Sequence, residues 1–330
     1  MPRRERSRQA KMNIVHSVAA LGGFAGTGLT IGNFDGLHLG HQALVRRTLD
    51  VCRQKGLTPV VMTFWPHPRQ VLFPDRGHIP LTSREDRLRL LWGMGVPHVL
   101  ELPFTRELAS LDAADFARTH FAPMRLRHLV VGHDFSLGRD RGGQVSVLRQ
   151  LGGQWGFAVE RLEAVAARDG LVVSSTALRQ LIALGDVAQA AKLLGRCHSF
   201  CGKVVHGDGR GRTLGFPTAN LHCGAVVLPA EGVYATRAHV NGHVWPAATS
   251  IGHKPSFGGT RVGVETFLLE GGQDLYGCTM RLEFVARLRA ERRFDSVEAL
   301  VRQIADDVVA ARNVLAAGEN ASGAGFLPCA

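Results

Sequence analysis

The chain has 330 residues, of which 45% are hydrophobic and 20% charged, a balance that excludes a mostly disordered polymer and leaves room for about two domains. No apolar run reaches the roughly 20 residues that a membrane-spanning helix requires. The formal net charge of +11 invites a nucleic-acid reading, but aromatic residues make up only 7%, which leaves little for a base-stacking surface.

That charge is uneven. Up to residue 196 there are 26 basic against 16 acidic residues, and beyond it 13 against 12. Five of the basic residues lie in the first eleven positions. The remaining excess suits an anionic ligand at least as well as a polynucleotide. Arg3-Arg4-Glu5-Arg6 ahead of Ile14–Gly26 superficially imitates a secretory leader, but His16, Ser17 and three glycines interrupt it. The expectation is a cytoplasmic protein, with Met12 as a natural start and residues 1–11 a solvated extension. The six cysteines contain no C-x-x-C and read as reduced thiols. Cys197 and Cys201 with His198 between them make half of a zinc pattern whose second half is missing.

In chain order, a short apolar run from Gly28 ends at Asp35, and His41–Gln54 has helical spacing. Thr58–Phe64 reads as a buried strand, Arg84–Met94 as a helix, Val96–Leu100 as a strand, Asp115–Met124 as a helix and His128–Gly132 as a strand. Gln144–Gly156, Thr176–Leu184 and Val187–Gly195 are helical. Alternating strands and helices predict a parallel α/β sheet, with ligands beyond the carboxyl ends of its strands. After Cys197 the texture becomes short apolar runs: Gly202–Val205, Thr218–Leu221, Gly232–Val240, Val244–Ile251, Val262–Leu269 and Met280–Leu288. These predict a small antiparallel barrel. Apolar residues from Val297 to Leu315 at spacings of three and four predict a closing helix, capped by Asp295 and stopped at Gly318.

The strongest local feature is Gly32-Asn33-Phe34-Asp35-Gly36-Leu37-His38-Leu39-Gly40-His41, where a strand passes into a helix. Glycines let backbone approach a ligand, and a helix start aims N–H groups at an anion. His38 and His41, three apart, can face one phosphate and donate to charge developing on it. A metal pair there lacks a third ligand. This stretch resembles the H-x-G-H signature of the nucleotidyltransferase superfamily. Its longer form is similar to the adenylyltransferase half of bacterial bifunctional riboflavin kinase/FAD synthetases. Thr63-Phe64-Trp65-Pro66-His67-Pro68, Gly132-His133-Asp134-Phe135 and Ser174-Ser175-Thr176-Ala177-Leu178-Arg179 match further motifs of that family in order. The resemblance implies that Gly32, Asn33, Phe34, Asp35, Gly40, Ser174, Ser175, Thr176 and Arg179 hold ATP. It implies that Pro66, His67, Asp134 and Phe135 lie against flavin. Ser174, Ser175 and Thr176 stand ahead of a helix, where hydroxyls and free amides converge, with Arg179 one turn in to hold departing pyrophosphate.

No G-x-x-x-x-G-K-[ST] sequence occurs, so a Walker-type kinase is not supported. Instead Gly202-Lys203 leads through Gly207 to Gly215-Phe216-Pro217-Thr218-Ala219-Asn220, which resembles the flavokinase signature of the same family. In an extended segment Thr218 and Asn220 share a face and can offer hard oxygens to Mg²⁺. The resemblance implies nucleotide contacts at Gly202, Lys203, Gly207, Gly215, Phe216 and Pro217, a catalytic base at Glu265, and flavin contacts at Arg289 and Glu291. Ser250, Lys254, Ser256 and Phe267 depart from the usual Asn, Arg, Thr and His of that family.

The expected architecture is therefore α/β plus β. A Rossmann-like nucleotidyltransferase sheet over residues 12–186 precedes a small β-barrel kinase domain with a C-terminal helix over 187–318, and residues 1–11 and 319–330 are extensions. The implied activity is phosphorylation of riboflavin to FMN and adenylylation of FMN to FAD, with ATP and Mg²⁺ and without nucleic-acid or membrane partners. The alternatives are an FAD synthetase with a weak kinase half and, in a different class, a basic nucleic-acid-binding protein. The second would bind with steep salt dependence and show no ATP chemistry.

Overall fold

Residues 27–31 are buried along their whole length, as expected of a strand covered on both faces. This strand is an inner member of a six-stranded, wholly parallel sheet in the computed structural model, which describes residues 12–319 apart from 167–169, 171, 208, 257–258 and 272–273. The strands are β1 (Asn13–Val15), β2 (Thr27–Ile31), β3 (Thr58–Trp65), β4 (His98–Pro103), β5 (Leu126–Gly132) and β6 (Ala158–Leu162), in the spatial order β1-β4-β3-β2-β5-β6. The order reverses between β2 and β5, and a crevice opens beyond strand ends at such a switch point. Leu29, Ile31, Val60, Met62, Leu100, Leu129 and Val131 form the central core.

Helix α1 (Leu39–Lys55) follows β2 and ends on Gly56 in the left-handed region. A charged network ties it to the sheet. Arg47 grips Glu160 through Nε at 2.6 Å and Nη2 at 3.1 Å, and His128 Nε2 donates to Glu160 at 3.1 Å. His128 Nδ1 then accepts from Lys55 at 3.2 Å. The Arg47 bond is the main reason the Glu160 carboxyl is held below its ordinary range.

The described residues divide into two compact units, one ending at Val173 and excluding Ile79–Asp86, the other comprising those eight residues and everything from Ser174. In the second unit, β7 (His198–Val205), β8 (Ala219–Cys223), β9 (Gly232–Val240), β10 (His243–Ser256), β11 (Gly259–Leu268) and β12 (Thr279–Arg289) close an antiparallel barrel in the order β8-β11-β10-β9-β12-β7. Phe200, Val204, Leu221, Tyr234, Ile251, Val264 and Leu282 fill it. The closing helix, Val297–Glu319, lays Ala311 and Leu315 on Ala235, Ala248 and Leu269 of the outer wall.

The parallel sheet, the barrel and the closing helix match the sequence expectation, and several details differ. The closing helix is capped by Ser296, whose Oγ accepts from Ala299 N at 3.1 Å, instead of Asp295. It continues through Gly318 to Glu319. The segment expected as one helix over Asp115–Met124 is Ala113–Phe116 followed by a π-helical turn at Ala117–Phe121. Strands β1 and β6 were not expected. Residues 1–11 and 320–330 lie outside the described residues.

His198 is buried at the barrel wall beside Phe200 and Phe284, and its Nε2 donates to Val227 O at 3.2 Å. Burial, with a smaller push from Arg196, lowers its pKa to about 4. The unfolded chain therefore binds a proton between the ordinary histidine range and pH 4 that the folded chain refuses. Stability should fall by about 3 kcal/mol as pH drops from 6.5 to 4 and then level off. Denaturant melts of His198→Gln across this range should lose most of that slope.

Candidate functional site

In the first unit the chain leaves β2 through a loop whose residues Phe34 and Leu37 hold positive φ of 49° and 40°. Both side chains are buried, packed with Val45, Val61, Leu88, Leu91 and Val99. A non-glycine left-handed residue is costly, and it persists only where its surroundings over-determine it. The loop delivers His38 to the N-cap of α1, so His38 sits ahead of the first turn and not on it. Its Nδ1 accepts from His41 N at 3.3 Å. In the neutral ring that assigns the remaining proton to Nε2, a donor. The rings of His38 and His41 stack at 3.6 Å with 16° between their planes. Gly40 leaves room for the ring: a Cβ there would stand 3.2 Å from His38 Cε1 and Nδ1, a tight contact.

Asn33 O accepts from Arg87 Nη1 at 3.1 Å and from Thr63 Oγ1 at 3.4 Å. Across the loop, Asp35, His67 and His78 each bring a ligand-type atom within 4.8 Å of the others, the one such group of three among the described residues. His67 caps the short helix Pro68–Leu72, with Nδ1 accepting from Arg69 N at 3.1 Å, while its own N–H donates to Gln70 Oε1 at 3.1 Å. Two imidazoles and a carboxylate suit a zinc-like ion better than Mg²⁺. The rings of His67 and His78 stack at 4.1 Å, however, so their in-plane lone pairs run side by side instead of converging. The group is a polar wall, and its rings must turn before they share an ion. His78 had no mark in the sequence. Only the fold, with Gln70 Nε2 on its carbonyl at 3.2 Å, brings it back to His67.

Pro66 precedes His67 on the strand exit. Asp134 and Phe135 leave the end of β5, where Phe135 packs on the core and Asp134 is exposed. Gly32 lies under the Phe34 ring. Ser174, Ser175, Thr176 and Arg179 belong to the second unit. Ser174 caps the helix Ser175–Ala183, its Oγ accepting from Ala177 N at 3.1 Å, so Ser175 and Thr176 lie in its first turn. Arg179 donates to the Ile79 carbonyl.

On the barrel, alternation decides which residues meet. Leu221, Ile251 and Val264 point inward, so Asn220, Ser250 and Glu265 point outward. Glu265 pairs with Asn220 on one side and with Ser250 on the other. Thr218 Oγ1 donates to Glu265 Oε2 at 3.0 Å. Gly207 closes over this group, since a Cβ on it would lie 2.2 Å from Asn220 Nδ2. Phe216 meets Phe267 edge-on at 5.5 Å, so the phenylalanine that replaces the usual histidine packs on the Gly-Phe-Pro-Thr turn. Gly215 and Pro217 flank that turn. Gly202 faces Leu221 and Cys223 within the wall, and Lys203 is exposed on its outside. The side chains of Lys254 and Ser256 lie outside the described residues.

Two residues along the outer face from Ser250, Gly252 receives the Glu291 carboxylate, with a Cβ position 2.5 Å from Oε2. Burial first, then hydrogen bonding to Glu231 and its charge, push the Glu291 carboxyl up. His253 Nε2 lies 2.7 Å from Glu231 Oε1. Arg289 is engaged by Asp307 at 2.8–3.1 Å and lies over the Phe294 ring. Of the half zinc pattern, His198 is spent on Val227 O and Cys201 Sγ leans to Asp86 at 3.6 Å.

Comparison with known proteins gives two successive matches. The family model for FAD synthetase matches residues 23–177, and that for riboflavin kinase matches residues 194–315. Bifunctional riboflavin kinase/FMN adenylyltransferases from Escherichia coli strain K12 and Bacillus subtilis strain 168 are 38% and 35% identical to it over 286 and 285 residues. They cover 86% and 84% of this chain, and 91% and 89% of their own. The corresponding protein of Pseudomonas fluorescens is 39% identical, covering 87% of this chain and 92% of its own. A crystal structure described as a macrolide-efflux protein from Streptococcus pneumoniae superposes with a TM-score of 0.83 at 33% identity, covering 92% of this chain and 99% of that one. Among the described residues of this chain no helix is long and apolar enough to cross a membrane. The chain belongs to the bifunctional riboflavin kinase/FMN adenylyltransferase family. Members of these families use ATP, usually with a divalent metal ion.

Carboxyl ¹³C NMR should find Glu291 titrating above the ordinary glutamate range. Glu231→Gln should bring it part of the way back, because a like charge is removed while the burial remains.

Proposed function

We propose that the chain phosphorylates riboflavin to FMN with ATP and then adenylylates FMN with a second ATP to give FAD and pyrophosphate. The observation that carries the reading is that each unit holds its own reactive cluster: stacked His38 and His41 at a helix start in one, and Glu265 between Thr218, Asn220 and Ser250 in the other.

In the kinase half, Glu265 takes the proton of the riboflavin 5′-hydroxyl as its oxygen bonds to the γ-phosphorus and the bond to ADP breaks. Thr218 and Asn220 both lie beside Glu265, and their side-chain oxygens are of the hard kind that Mg²⁺ takes. That ion, when bound, neutralises charge on the phosphates. Gly207, Gly215, Phe216 and Pro217 shape the nucleotide side with Gly202 and Lys203, and Arg289 and Glu291 the flavin side. In the adenylyltransferase half, a phosphate oxygen of FMN attacks the α-phosphorus and pyrophosphate leaves. His38 donates from Nε2 and, with His41, meets the charge that grows on the α-phosphate. Gly32, Asn33, Phe34, Asp35 and Gly40 line the nucleotide. Ser174, Ser175, Thr176 and Arg179 serve the departing pyrophosphate, and Pro66, His67, Asp134 and Phe135 the flavin. We place the work in the cytoplasm and take the functional boundary near residue 187.

Incubation with riboflavin and Mg-ATP, read by liquid chromatography, should show FMN followed by FAD; accumulation of neither refutes the reading. His41→Ala should abolish FAD formation from FMN, by at least about a hundredfold, and spare FMN formation. Glu265→Gln should do the converse. Equal loss of both activities in either variant would count against two separate sites.

A further inference from the structure

The nucleotide loop of the first unit has a support that lies outside every motif quoted above. Arg87, on the helix Arg84–Gly93, is buried with Glu101 of β4, at 4% and 2% side-chain exposure, and their Nη2–Oε1 bond is 3.1 Å. Its guanidinium lies 5.6 Å from the Trp65 ring centroid. The second arm, Nη1, donates at 3.1 Å to the carbonyl of Asn33, which also receives Thr63 Oγ1 at 3.4 Å. Leu88 and Leu91 of the same helix pack on Phe34 and Leu37.

A buried ion pair is weak evidence for stability, because desolvating two charges offsets much of their attraction. The Asn33 bond supplies another reason for the pair. Phe34 has φ of 49°. A flip of the 33–34 peptide would relax that angle, but it would carry the Asn33 carbonyl away from both donors. Arg87 and Thr63 thus hold the peptide in its strained orientation. The strained loop is what sets His38 at the N-cap of α1, against His41.

We propose that Arg87, anchored by Glu101, is a positioning residue for adenylyl transfer, holding the Asn33 carbonyl so that the loop presents His38 and His41 to the α-phosphate. The proposal rests on the adenylyltransferase reading of the first unit. It predicts a defect in turnover more than in binding, since both histidines act on charge that develops in the transition state.

The test uses the full chain and measures FAD formation from FMN and FMN formation from riboflavin separately. Arg87→Met combined with Glu101→Met replaces the pair by apolar side chains, an exchange that buried pairs often tolerate. This variant should keep FMN formation within about twofold of the parent and lose at least about tenfold in kcat for FAD formation, with KM for ATP and FMN within about threefold. Arg87→Lys, which keeps the charge but not the two-armed reach, should recover only part of the rate. Thr63→Val, a near-isosteric change that leaves the ion pair in place, should lower kcat a few-fold. Parental kcat for FAD formation in the double variant or in Arg87→Lys overturns the proposal, as does parallel loss of both activities. Should the double variant not fold, parental kcat in both Arg87→Lys and Thr63→Val overturns it. A parent chain that forms no FAD from FMN overturns the adenylyltransferase reading and the proposal with it, a result distinct from a defect confined to the variants.

Discussion

The first unit depends on a single strained loop. Phe34 and Leu37 adopt left-handed backbone that costs about 1–3 kcal/mol apiece, and both bury their side chains. The burial of a phenylalanine and a leucine contributes about 1.5–3 kcal/mol each and offsets that strain. Because the two side chains point into the core, the polar atoms of the intervening backbone and of Asp35 and His38 are turned to the strand end. The constraint therefore sorts apolar Phe34 and Leu37 from polar Asp35 and His38 within five positions, before α1 begins.

In the barrel the sorting is done by the two-residue period of a strand. Thr236, Thr249 and Thr266 point inward and satisfy one another at 2.8 and 3.0 Å, so the interior tolerates their hydroxyls. Their immediate neighbours face out. Glu265 lies next to Thr266 and Ser250 next to Thr249, so the register that seals the hydroxyl ladder also sets Glu265 between Asn220 and Ser250. A slip of one residue would bury the glutamate and expose the threonines. The Glu265 cluster is in this sense a consequence of how the core is closed.

Legibility in the sequence followed the same two rules. The strands from Gly232–Val240 to Met280–Leu288 were readable because alternation or β-branching runs through each of them. The His38–His41 loop was readable because its glycines and histidines are contiguous. β6 was not, because its centre is Glu160-Arg161 and its polarity makes sense only once Arg47 and His128 are brought to Glu160. The cap at Ser296 differs from the expected Asp295 because either side chain offers an oxygen that can accept from a first-turn N–H, and only the chain's path distinguishes them. Arg87 and His78 are long-range residues. Arg87 reads as one more charge on a helix, and nothing local announces that its partners are a glutamate fourteen residues on and a carbonyl fifty-four residues back.

The two clusters also share a device that conventional motif reading assigns to flexibility. Gly40 and Gly207 matter for the volume they leave vacant. One admits the His38 ring against the first turn of α1, and the other admits the Asn220 amide beneath its own backbone. In both places the side chain to which the proposed chemistry assigns a role is packed against main chain, where its freedom is least. Such preorganisation is what electrostatic stabilisation of a developing charge requires, because donors already in place do not have to be reoriented during the reaction. The glycines and the buried Arg87–Glu101 pair then share one effect: each limits the freedom of the polar loop or side chain packed against it.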